Sequence, residues 1–113
     1  MRGHLVPREL HGDARRRKLR LESEQQRRIT WDEVASQAIE LLIAKRAQIP
    51  SLIEEVRAIG EKSGARRLVQ STIPLSLDRM FSELRLDLSD RLGRDVSYEA
   101  LWSSALLLWV RSR

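Results

Sequence analysis

The strongest constraint on this chain is that it repeats itself. Shifting the 113-residue sequence by 67 positions aligns residues 4–43 with residues 71–110 without a gap. Eight of those 40 pairs are identical: Pro7/Pro74, Leu10/Leu77, Leu19/Leu86, Leu21/Leu88, Arg27/Arg94, Ser36/Ser103, Ala38/Ala105 and Leu41/Leu108. Identity at that level is thin by itself, but the apolar pattern repeats with it. Trp31, Val34, Ala35, Ala38, Ile39 and Leu42 recur as Tyr98, Leu101, Trp102, Ala105, Leu106 and Trp109, and both sets keep the three-and-four spacing of one helix face. Thr30 and Ser97 stand where an N-cap belongs, and Thr30 with Glu33 predicts a capping box.

Ahead of each long helix the pattern predicts a shorter one. In the second copy Leu77, Met80, Phe81, Leu84 and Leu88 form its apolar face, Pro74 suits its first turn, and Gly93 can end it in a left-handed conformation. In the first copy only Leu10, Ala14 and Leu21 remain on that face. Residues 67–73 read as a short strand rich in β-branched side chains, and the six residues before Pro7 leave room for a matching strand. Between the copies, Pro50 and a capping box of Ser51 with Glu54 predict a connecting helix. It carries Leu52, Val56 and Ile59 on one face, with Gly60 and Gly64 as stop signals. The expected organisation is one domain over residues 1–113: a first copy over 1–43, a connecting helix and linker over 44–66, and a second copy over 67–113. A strand that begins at the first residues suggests a piece of a longer protein.

Composition excludes several classes of function. With no cysteine there is no disulfide framework and no thiolate metal site. The longest apolar run, residues 105–110, is far too short to span a bilayer, and no signal-peptide layout precedes it, so the chain is expected to be soluble, with no membrane partner. His4 and His11, the only histidines, lack the carboxylate pairing of a metal site or general base, so surface or capping roles are expected. Ser36 and Ser103 fit small-residue packing better than nucleophilic catalysis, and Trp31, Trp102 and Trp109 fit the core stripe. No glycine-rich phosphate loop or pair of catalytic carboxylates is present, which predicts neither an enzyme nor a cofactor protein.

The net charge of +5 is unevenly placed. Residues 1–30 carry nine Lys/Arg against four Asp/Glu, residues 31–65 four against six, and residues 66–113 eight against six. The densest cluster, Arg15, Arg16, Arg17 and Lys18, is a candidate phosphate-contacting face, and a polyanionic partner follows.

Strand, proline-started helix, turn and longer apolar helix, twice over, resembles the ribbon-helix-helix family, to which Arc repressor and the methionine repressor belong. That resemblance implies a mainly α fold with a short two-stranded β-ribbon, here a tandem pseudo-dimer in one chain, monomeric in solution. It implies a ribbon inserted in the major groove of double-stranded DNA. In the family, side chains two, four and six positions before the helix-starting proline meet base edges, which names Thr72, Gln70 and Leu68 before Pro74. Before Pro7 it names Leu5, Gly3 and Met1, which are poor readers, and strict register puts Arg2 and His4 on the inner face. The family also holds phosphates at the start of the longer helix. That implicates Thr30 and Ser97, with Arg27, Arg28 and Arg94 in the turns before them, and Arg66 and Arg67 beside the second strand. The tandem form is similar to accessory factors of T-DNA border processing and conjugative transfer, implying a relaxase and other DNA-processing proteins as partners in a bacterial cytoplasm. A transcriptional regulator and a helical protein-interaction scaffold are the alternatives.

Overall fold

The six residues before Pro7 do make a strand. In the computed structural model, which describes residues 2–112, β1 (Arg2–Pro7) pairs antiparallel with β2 (Arg66–Ser71) as a two-stranded ribbon. Three α-helices lie between the strands, α1 (Arg8–Gln25), α2 (Trp31–Ala44) and α3 (Ile49–Ser63), with a 3₁₀ turn at Arg46–Gln48 before α3, and two follow β2, α4 (Leu75–Leu92) and α5 (Tyr98–Arg111). Helices α1 and α4 are each 18 residues long, and α2 and α5 are each 14, so the first helix of each copy, expected to be the shorter, is the longer of the two. Their starts, 8 against 75 and 31 against 98, differ by the same 67 positions as the sequence repeat.

Local chemistry sets these boundaries. Gly93 (φ 64°) ends α4 in the left-handed region that glycine enters freely, and at the equivalent place in α1 Gln26 takes the same conformation (φ 51°) at a cost of about 1–2 kcal/mol. Thr30 Oγ1 accepts from the Glu33 amide at 3.2 Å, and Ser97 Oγ from the Ala100 amide at 3.0 Å, so α2 and α5 are both capped as expected. The predicted capping box at Thr30 is only half formed, because the Glu33 carboxylate turns instead to Arg27 at 2.9 Å.

Register puts Gly3 opposite Gln70, His4 opposite Val69 and Leu5 opposite Leu68. Alternation then divides the ribbon into two faces. His4, Val6, Val69 and Ser71 are buried against the helices, while Gly3, Leu5, Leu68 and Gln70 face out. His4 is therefore an inner-face residue, as strict register has it and unlike the surface role its lack of a carboxylate partner suggests, 8% exposed and tilted against Trp102 with ring centroids 5.6 Å apart. β2 ends at Ser71, short of Ile73, because the Asp32 carboxylate takes the Thr72 amide at 2.8 Å.

Below the ribbon, α1 packs on α5 and α4 packs on α2, with α2 and α5 against each other at the centre. Helix α3 covers the remaining side of α5. Residues 101–109 are buried without a break, where the periodicity predicts a single apolar stripe, so Ser103, Ser104, Leu107 and Leu108 are covered as well. The Ser104 hydroxyl satisfies itself by donating to the Ala100 carbonyl at 2.8 Å. Helix α3 itself starts at Ile49 with Gln48 as an N-cap that makes no side-chain bond, so the capping box expected at Ser51 does not form. Gly60 does not stop α3 but lies inside it beside Pro7, and the helix ends at Gly64. Among the described residues no helix is long and apolar enough to cross a membrane.

Candidate nucleic-acid interface

The outer face of the ribbon is built around the pair Gly3 and Gln70. Gly3 has no side chain to compete for that surface. A Cβ there would lie 3.1 Å from Leu68 Cδ1, so the glycine lets Leu68 lie across the strands. The Gln70 side chain is exposed and makes no hydrogen bond among the described residues, which leaves its amide available to a partner. Leu5 and Leu68, 39% and 55% exposed, flank it as an apolar pad. Gln70 thus has the donor and acceptor that match an adenine edge, and the leucines match thymine methyl groups. Thr72 is exposed just beyond the end of β2, and Met1 lies outside the described residues.

One end of the ribbon adjoins the start of α2 and the other the start of α5. At one end Asp32 of α2 holds the Thr72 amide; at the other, Arg66 reaches Glu99 of α5 at 3.5 Å. Asp32 and Glu99 are equivalent in the repeat. Thr30 and Ser97 therefore stand beside the ribbon's two ends, as a phosphate clamp requires. The first turns already carry Asp32 and Glu33 in α2 and Glu99 in α5, however, so a phosphate arriving there meets negative charge that answers the helix dipole first.

The arginines separate into engaged and available groups. Arg27 pairs with Glu33 beside it, whereas Arg94, its repeat equivalent, reaches Glu54 of α3 at 3.5 Å; the symmetric pair of turn arginines has different partners. Helical geometry also splits the basic cluster. Arg16 pairs with Asp13. Arg17 lies over the Trp109 ring at 4.4 Å and donates to Ser112 Oγ at 2.7 Å, and burial, then Arg20, lowers its pKa. Lys18 bonds Glu22 at 2.7 Å, holding that carboxyl below its usual range, and sits 5.6 Å from the Trp31 ring. Arg15, Arg28 and Arg67 are exposed, with no hydrogen bond or ion pair from their side chains among the described residues.

His11, which sequence reasoning assigns to no site, joins this group. It stacks on Trp31 with centroids 5.5 Å apart, and burial, followed by the fields of Arg67 and Arg15, holds its pKa below the ordinary value. The imidazole is thus neutral at pH 7. A signal for the aromatic partner is present in the repeat: Lys18 over Trp31 recurs as Arg85 over Tyr98 at 4.4 Å, each pair at the same offset. Among the described residues no cluster of His, Asp and Glu is arranged to hold a metal ion. No family model, curated protein or solved structure matches the chain.

Proposed function

We propose that this chain is a single-chain ribbon-helix-helix pseudo-dimer that binds double-stranded DNA by laying the outer face of its ribbon in the major groove. The observation that carries the reading is the ribbon register: Gly3 lies opposite Gln70, its own repeat equivalent, so an approximate two-fold axis passes between them. The reciprocal packing of α1 on α5 and α4 on α2 is what two copies sharing one core would give. About that axis the exposed Gln70 amide and the cations Arg66 and Arg67 lie on the ribbon. A two-stranded ribbon is of a size that the major groove admits. The resemblance of the tandem form to accessory factors of T-DNA border processing supports a role in conjugative DNA transfer, with a relaxase as the further partner.

Binding of a labelled duplex, followed by fluorescence anisotropy at several salt concentrations, tests this. Affinity should fall linearly on a logarithmic salt scale with a slope near −0.9 for each phosphate contacted. A chain that shows no affinity for duplex DNA at about 50 mM salt would refute it. A protein-interaction scaffold is the second reading, favoured by the exposure of Leu5 and Leu68 on the ribbon; it predicts salt-insensitive capture of a protein partner lost on Leu68→Asp.

A further inference from the structure

Beside the ribbon, the turn between α1 and α2 and the outer side of α1 enclose an open groove lined by His11, Arg15, Lys18, Arg27, Arg28 and Trp31. Glu22 is the one carboxylate on its walls, against four cations. Moving each lining residue by 67 positions gives the corresponding surface of the second copy, and its charge is inverted. There Asp78, Ser82 and Asp95 stand for His11, Arg15 and Arg28, and Asp90 stands for Ser23. Only Arg85 and Arg94 remain as cations, against those three carboxylates. The aromatic floor is kept, as Trp31 in one copy and Tyr98 in the other. The two copies thus share a scaffold but not a surface potential.

Two observations connect the basic groove to the ribbon. His11 lies within the field of Arg67, which stands on β2, so the groove's inner end adjoins the ribbon's edge. Within the groove Lys18 and Arg27 are engaged with Glu22 and Glu33, whereas Arg15 and Arg28 are exposed and carry no ion pair among the described residues. Neutral His11 adds no charge of its own there.

We infer that this groove, basic on the first copy alone, binds the phosphate backbone of the duplex where it runs past the ribbon, so that DNA is gripped beyond one end of the site and not beyond the other. The inference rests on the DNA-binding reading and adds to it a direction. Arg15 and Arg28 supply the phosphate contacts; Arg67 bridges from groove to ribbon. The second copy, with Asp90 and Asp95 exposed on the equivalent surface, repels the flank on its side.

Three duplexes separate this from binding by the ribbon: one of about ten base pairs, roughly one helical turn, and two in which the same site is extended by a further turn on one side or the other. Wild type should bind one extended duplex with a steeper salt dependence than the short one and show no such gain with the other. Arg15→Ala/Arg28→Ala should reduce the slope on the favoured extended duplex by about two contacts, equivalent to a loss of affinity about twelvefold smaller between roughly 50 and 200 mM salt. The slope on the short duplex should stay as it was. Arg15→Lys/Arg28→Lys, which keeps the charge, should retain the extended-duplex slope. Gln70→Ala should weaken the short and extended duplexes alike. Equal gain from both extensions, or an unchanged slope in the double alanine variant, would overturn the inference while leaving ribbon binding intact. Wild type that binds none of the three duplexes would overturn both.

Discussion

Replacing Trp102 with alanine is expected to cost about 3–5 kcal/mol of folding stability. Trp102 lies on α5, 1% exposed, where the ribbon, α2 and α4 converge: its ring stands against His4, and it shares a small cavity wall with Ile39 and Phe81. Truncation there removes the largest buried side chain beneath the ribbon and leaves a void that helices anchored on three sides cannot close. Such a loss approaches the whole stability of a typical domain. Urea unfolding should show the midpoint displaced with its slope unchanged. The indole Nε1 makes no hydrogen bond among the described residues, so Trp102→Phe, which keeps most of the volume, should cost clearly less. A loss below about 1 kcal/mol for the alanine variant would mean that α5 is not the centre of the core.

Gln70→Ala is expected to act on binding and hardly at all on folding. The side chain is exposed and makes no hydrogen bond among the described residues, so its removal should leave stability within about 0.5 kcal/mol of wild type. On the preferred duplex it should cost about 1–3 kcal/mol, because a bidentate base contact is lost; on random duplex the change should be slight, since phosphate contacts carry no sequence information. Parallel titrations of the two duplexes measure that difference. Equal losses on both would show that Gln70 does not read a base. The asymmetry of the ribbon sharpens the expectation: Gln70 faces Gly3, so one strand offers an amide and the other only backbone and Leu5. The preferred site should accordingly be non-palindromic.

Much of this architecture is legible in the residue pattern alone. The periodic apolar positions from Trp31 and from Tyr98 mark α2 and α5, and Thr30 and Ser97 cap them as their hydroxyls predict. Proline at 7 and 74 and alternation in the strands likewise anticipate which residues the ribbon turns outward. The features that escape such a reading depend on packing between distant segments. Helix α1 is too polar in sequence to mark a full apolar face, yet the aliphatic stems of Arg17 and Lys18 carry their charges over Trp109 and Trp31, so side chains that count as solvated cover apolar surface. Nothing local in α5 announces that α3 will pack on it, and no strand rule predicts that Asp32 will take the Thr72 amide and end β2 early. Of the candidate phosphate ligands, residue type alone does not separate Arg17, held by Trp109 and Ser112, from Arg15 and Arg28, which are not held.

Sedimentation velocity of the chain mixed with a labelled duplex carrying one preferred site tests the central claim most directly, because a pseudo-dimer brings both halves of the ribbon in one polypeptide. The free protein should sediment as a monomer of about 13.1 kDa, and the complex should contain one chain per duplex at all protein concentrations up to saturation. A free dimer that persists on dilution, or a complex that forms only with two chains on one site, would contradict it.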